Sequence, residues 1–198
     1  MENIKRIFWN YKILIMYRCG SYAFNTSSRQ SDEDYIVVLD GYNGVGHIGE
    51  DNKEYWIFGL EHFKQKMEFS PHLDKYYQIY NDEIFAFPNS IIYMDESIKP
   101  LIDKYINEFP SKVNLWLTKV IEYYQKPISI KDITKRCYHL LRIQDEVINF
   151  KNTGSFSLYL SDETKEKIRL FKLSYDKSLY QKEIIEAFNY LKKEVEEN

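Results

Sequence analysis

Hydrophobic and polar positions divide the 198-residue chain into two stretches of different period. Up to residue 95 the apolar residues come in short runs separated by turn-forming clusters, the pattern of strands and short helices. Runs at 13–17, 34–39, 53–58 and 91–94 predict strands. Residues 60–67 have helical spacing and are stopped by Ser70-Pro71. Short helices are predicted at 2–10, at 21–26 just after Gly20, and at 82–87, the last closed by Pro88. The segment 41–49 contains four glycines and predicts a flexible loop. From Ser97 onward the period is helical, with helices predicted over 97–108, 111–125, 130–151, 162–173 and 179–197. Ser129 and Asp132 form a capping-box-like pair. Asp162 and Glu163 after Ser161 suit the positive end of a helix dipole. Asn152-Thr153-Gly154 stops the helix that ends near Lys151. The expectation is an α+β protein with a mixed region over 1–95 and an all-helical C-terminal lobe over 96–198.

Composition narrows the class. The chain is 44% hydrophobic and 17% aromatic, enough to bury a real core. Thirty acidic against 27 basic side chains give a net charge of -3, which does not suit a general nucleic-acid coat protein but leaves room for a local basic patch. The two cysteines, Cys19 and Cys137, make neither a disulfide framework nor a zinc spacing. No run approaches the roughly 18 to 20 apolar residues that span a bilayer. Asn10 and Lys12 interrupt any signal-peptide core behind Lys5-Arg6. The expectation is a cytoplasmic protein with no membrane partner, in a cell or in an infected host.

The candidate chemistry lies in CGSYAFNTSSRQSDEDYIVVLD, residues 19–40. Gly20-Ser21 ends one apolar run. Ser31 and the triplet Asp32-Glu33-Asp34 lead into the next. Alternation along a strand puts Asp32 and Asp34 on one face and Glu33 on the other. Two adjacent carboxylates repel unless a cation bridges them, and hard oxygen ligands suit Mg²⁺ or Mn²⁺. Gly20 permits close backbone approach to a phosphate, and Ser21 adds a hydroxyl donor. The plainer alternative is an ordinary turn followed by a solvated acidic strand entry.

This arrangement resembles the nucleotidyltransferases of the DNA polymerase beta superfamily. Within it, GSYAFNTSSRQSDEDYIVV is most similar to a group of predicted enzymes from bacteria and phages that reads roughly GSxAxGxxxxxSDxDxxxV. The chain departs at Asn25, where that group has Gly. Asn tolerates left-handed backbone better than most residues. The resemblance implies a polymerase-beta-like core with a small mixed sheet and a helical second lobe. It implies two Mg²⁺ (or Mn²⁺) ions on Asp32 and Asp34, an NTP substrate held at Gly20 and Ser21, and a third carboxylate on a later strand. KEYWIFGLEHF, residues 53–63, resembles the family's third strand and puts Glu54 in that position, with Asp51 as the competing candidate.

Lys135, His139 and Arg142 stand at i, i+4 and i+7 of the predicted 130–151 helix and share one face. Such a stripe meets a triphosphate or an RNA backbone, or it is a solvated basic face. KRCYHLLRIQDE is similar to a Lys-x-x-x-His-x-x-Arg segment in the same family's helical lobe. The function implied is nucleotidyl transfer from an NTP to an acceptor hydroxyl, with an RNA end as the leading acceptor. A protein hydroxyl, as in antitoxin-like adenylylating enzymes, and a non-catalytic nucleotide- or RNA-binding module are the alternatives. The location implied is the cytoplasm of a bacterium or a phage-infected host. His47, in the glycine-rich segment, carries no assigned role, and His62 and His72 lack metal-ligand spacing. Trp9, Trp56 and Trp116 are expected in the core.

Overall fold

The structure, a computed structural model, describes residues 9–27, 31–86, 89–126, 133–158, 160–173 and 177–197. The protein is α+β, built on a five-stranded mixed sheet. Strand β1 (Ile13–Cys19) runs into a one-turn helix, α1 (Gly20–Ala23). Strands β2 (Glu33–Leu39), β3 (Val45–Glu50) and β4 (Lys53–Gly59) follow, then helix α2 (Leu60–Met67). A short helix α3 (Lys75–Gln78), a 3₁₀ turn (Asn81–Ala86) and strand β5 (Ile91–Met94) complete this part. The strand order is β3-β4-β2-β1-β5. The β2–β4 pair is parallel; β1–β2, β1–β5 and β3–β4 are antiparallel.

Both faces of the central strands are covered, which is why β2 reads as a continuous apolar run rather than an alternating one. On one face Tyr17, Cys19, Ile36, Val38 and Phe58 pack with Phe63 and Met67 of α2 and with Ile84. On the other, Tyr35, Val37, Leu39, Tyr55 and Ile57 form a second cluster. There Tyr35 stacks on Tyr55 at 5.2 Å between centroids.

Helix α4 (Lys99–Tyr124) carries Pro110 inside it. The sequence predicts two helices there, 97–108 and 111–125. Proline removes one backbone donor and crowds the preceding turn, yet helical spacing of apolar residues on both sides of Pro110 carries the helix through. The chain divides at this proline into two compact units, Met1–Phe109 and Pro110–Asn198. Ile98, Ile102 and Tyr105 pack into the cluster on the first face of the sheet, so residues 96–109 belong with the sheet rather than with the helical lobe.

The second unit holds the rest of α4 with α5 (Ile133–Thr153), α6 (Asp162–Leu173) and α7 (Lys177–Glu196). Helix α5 packs on α6 and α7. Trp116, Leu140, Ile168, Tyr180 and Leu191 are buried, and Phe156 meets Trp116 edge-on at 5.6 Å.

The predicted loop at 41–49 is a loop only in its first part, since Val45–Glu50 is the edge strand β3. Its glycines lower strand propensity, but pairing to β4 along Val45↔Phe58 through Glu50↔Lys53 overrides that. The 82–87 helix is a 3₁₀ turn at Asn81–Ala86. Of the predicted 2–10 helix, only Trp9 and Asn10 fall among the described residues, and both are helical. The Ser129–Asp132 pair lies outside the described residues. Trp116 is fully buried and Trp56 half-buried, whereas Trp9 is 87% exposed. Among the described residues no helix is long and apolar enough to cross a membrane.

Candidate active site

Three chain segments meet at one end of the sheet. Antiparallel pairing sets Cys19, the last residue of β1, opposite Asp34 near the start of β2. Parallel pairing sets Asp34 beside Glu54 near the start of β4. Residues at one level of neighbouring strands point to the same face, about 4.8 Å apart. Asp34 and Glu54 therefore share a face, the one that carries Cys19, Ile36 and Phe58. Glu33 takes the opposite face, where Arg18 and Tyr35 hydrogen-bond to it. Those partners hold its carboxyl below the ordinary range, Tyr35 most strongly. Asp32 precedes β2 and is exposed; Asp34 and Glu54 are half-buried.

Gly20 explains itself in this setting. Its φ of +61° lies in the left-handed region that disfavours a side chain. A Cβ there would stand 2.2 Å from Oδ2 of Asp34 and 2.9 Å from its Cγ. The Asp34 carboxylate thus rests on the bare face of Gly20, and the sharp turn into α1 exists because the residue is glycine. Ser21 follows in α1, half-buried, its carbonyl accepting the Thr26 N–H at 2.9 Å. The turn closes at Asn25 with φ 54°, the left-handed position where the resembled group carries glycine.

Glu54 is joined by a residue to which the sequence assigns no role. His47 on β3 bonds to the Glu54 carboxylate through Nε2 and stacks on Trp56, with ring centroids 4.2 Å apart. Asp51 sits in the β3–β4 turn at φ 55°, exposed. Of the two candidates for a third carboxylate, only Glu54 lies in register with Asp34.

Beneath Gly20 is a buried polar group that the sequence pattern does not mark. Glu83, 5% exposed, accepts the Gly20 N–H at 3.2 Å. Lys66, 2% exposed, donates from Nζ to Oδ1 of Asn81 at 2.9 Å and to the Tyr80 carbonyl at 3.0 Å. Asn81 returns a bond from Nδ2 to the Lys66 carbonyl at 2.7 Å. Burial pushes the Lys66 ammonium below its ordinary pKa, against the opposing charges of Glu83 and Asp82. Cys19 is enclosed by the same group: burial raises its thiol pKa, and Glu83 and Asp34 raise it further. The one signal in the sequence is the helical spacing of 60–67, which puts Lys66 beside Phe63 and Met67 on the packed face.

The Lys135, His139 and Arg142 stripe lies in the other unit, on α5 as predicted. Its members have different surroundings. Lys135 is exposed. His139 is buried and shares a 3.0 Å hydrogen bond with the Tyr124 hydroxyl. Arg142 is buried and donates from Nη1 to Oε1 of Glu146 at 3.2 Å, one turn along the same helix. Burial holds His139 well below the ordinary imidazole range, and the charges of Arg142, Lys135 and Lys172 push the same way. The three do not form one solvent-facing row.

Asp32, Asp34 and Glu54 offer the oxygen donors a hard divalent cation takes. Asp34 and Glu54 stand in register on neighbouring strands. Among the described residues no group of three or more His, Cys, Asp or Glu side chains is already gathered as a metal cage. Comparison of the chain with protein-family models and with curated proteins finds no match.

Proposed function

We propose that this protein is a metal-dependent nucleotidyltransferase of the polymerase-beta type. It would transfer a nucleotidyl group from an NTP to an acceptor hydroxyl, with an RNA end as the leading acceptor. The observation that carries the reading is the meeting of Asp34 with Gly20 on one side and Glu54 on the other. A glycine turn and two carboxylates from distant segments converge at one sheet end, in the order in which the resembled family places its phosphate-binding turn and acidic strands. Asp32, Asp34 and Glu54 are the residues that would hold Mg²⁺ or Mn²⁺. When bound, the metal supplies charge neutralisation for the triphosphate and lowers the pKa of the acceptor hydroxyl. Ser21 presents its hydroxyl to the phosphates. Glu54 would take the acceptor proton, and the His47 bond to its carboxylate would orient it. The chain otherwise contributes positioning and fixed charge to an in-line displacement.

The test is incubation with each labelled NTP, Mg²⁺ or Mn²⁺ and total RNA, followed by detection of label on RNA or on protein. Asp32→Ala and Asp34→Ala should each reduce transfer more than the roughly 100-fold reached by losing a residue that only supports a ligand. Glu54→Gln should cost far more than Asp51→Asn. Near-normal turnover in either aspartate variant sinks the assignment. Label on protein alone redirects it to a protein hydroxyl. Nucleotide binding without any transfer supports the non-catalytic module.

A further inference from the structure

The buried group under Gly20 has no direct access to a substrate. Glu83 and Lys66 are 5% and 2% exposed, and Asn81 and Asp82 are 0%. Burying charge in a protein interior costs several kcal/mol per ion unless geometry and hydrogen bonds compensate. A well-packed apolar pair would fill the same space more cheaply. What the ionic version supplies is direction. Lys66 on α2 is tied to Asn81 of the 3₁₀ turn by two bonds, one from its ammonium and one returned to its carbonyl, and its ammonium also bonds the carbonyl of Tyr80 just before the turn. The same 3₁₀ turn projects Glu83 onto the Gly20 N–H. Gly20 in turn forms the surface on which the Asp34 carboxylate rests. The line from Lys66 to Asp34 therefore runs through named contacts at each step.

We infer that Glu83, held by the Lys66–Asn81 bracket, is a positioning residue that fixes the Gly20–Ser21 turn against Asp34. This rests on the proposed nucleotidyl-transfer site. Gly20 at φ +61° has a mirror-image conformation equally open to it, so glycine alone does not hold the turn. The Glu83 carboxylate selects one state by accepting its N–H. A consequence is that the Gly20 N–H is committed to the protein, and Ser21 is the residue of the pair left to meet phosphates.

Two readouts test the idea, one of them independent of activity. The first is amide exchange and chemical shift of Gly20 by NMR; the second is KM against kcat for the NTP. Glu83→Gln keeps a carbonyl acceptor, so both should stay close to wild type. Glu83→Leu removes the acceptor, and Gly20 exchange should quicken by on the order of tenfold, the value of one hydrogen bond. KM should rise by a similar factor of about ten, with kcat changed less. Because Glu83→Leu leaves Lys66 buried among fewer counter-charges, Lys66→Met/Glu83→Leu is made alongside it. This double variant replaces Lys66 and Glu83 by apolar groups, leaves Asp82 unchanged, and should fold. It should still show fast Gly20 exchange and raised KM. Wild-type exchange and KM in a folded double variant overturn the proposal. So does failure of both leucine variants to fold, which would assign the group to core packing. If the wild-type protein transfers no nucleotide, the functional reading falls, while Gly20 exchange still decides the positioning role.

Discussion

The two units bury charge in different ways. In Met1–Phe109, the buried Lys66 and Glu83 bear on Gly20 and, through it, on the half-buried Asp34. In Pro110–Asn198, the described bonds of the buried His139 and Arg142 run to Tyr124 and Glu146, which are themselves buried. Both arrangements carry a desolvation cost for their charged members. They differ in where their bonds lead: toward a partly exposed turn in one unit, into the interior in the other. A buried charge thus indicates function by the residue at the far end of its hydrogen bonds, not by being buried or charged.

The largest effect that separates the two is on stability. Arg142→Met removes the buried Arg142–Glu146 pair from one side, which costs about 3–5 kcal/mol. Urea unfolding should show this loss, and Arg142→Met/Glu146→Leu should recover most of it. Lys135→Ala, on the exposed member of the same stripe, should change stability by less than about 0.5 kcal/mol. A folded Arg142→Met of normal stability with weakened NTP binding would move Arg142 from the interior of its unit to the ligand, and the comparison would break.

The next effect tests the sheet unit. Gly20→Ala costs about 1–2 kcal/mol for left-handed backbone and also displaces the Asp34 carboxylate. Gly41 is the control. Its φ of +72° carries the same backbone cost, but a Cβ there meets nothing within 4 Å. Both alanine variants should lose stability in urea unfolding, Gly20→Ala at least as much as Gly41→Ala because of the added contact with Asp34. Only Gly20→Ala should lose metal-dependent transfer. Equal activity in both would mean that the contact between Gly20 and Asp34 has no part in the site.

Much of this candidate site is legible in the sequence, and the reason is local. Gly20, Ser21, Asp32 and Asp34 lie within a short stretch whose spacing reflects one turn and one strand. Alternation alone puts Asp34 opposite Glu33, as the Arg18 and Tyr35 contacts of Glu33 bear out. Glu54 is singled out by the resemblance of 53–63 to the family's third strand, and β4 does start at residue 53, as the 53–58 run predicts. His47 is hidden because glycines 44, 46 and 49 mask the alternation of β3, whose strand character comes from pairing with β4. Glu83 and Lys66 are hidden for another reason. They meet the Gly20 turn across more than 40 residues of sequence, and the helical spacing that puts Lys66 beside Phe63 and Met67 does not tell what its ammonium bonds to. Pro110 misleads in the opposite direction, because a rule about single residues loses to the packing of a long helix.

The smallest effect is one of pH, and it distinguishes the units by sign and window. His139 is held neutral by burial and by the charges of Arg142, Lys135 and Lys172. In the unfolded chain an imidazole takes up a proton near pH 6.5. Below that pH the unfolded state binds a proton that the folded state refuses, so stability falls as pH falls. The slope from this one group is at most about 1.4 kcal/mol per pH unit. Glu33 in the sheet unit acts lower down. Its folded pKa is depressed by Tyr35, Arg18 and Lys53, so its contribution is complete above the ordinary carboxylate pKa and fades only as pH falls through the folded value. Between pH 6.5 and 5, urea midpoints of wild type should therefore fall more steeply than those of His139→Gln, which keeps a hydrogen-bonding side chain for Tyr124. Glu33→Gln should leave that window unchanged and alter the curve only at lower pH. Parallel slopes for wild type and His139→Gln would mean that His139 takes up its proton as readily in the folded chain as in the unfolded one. The helical stripe would then have no interior character at that residue, and the contrast between the two units would rest on Arg142 alone.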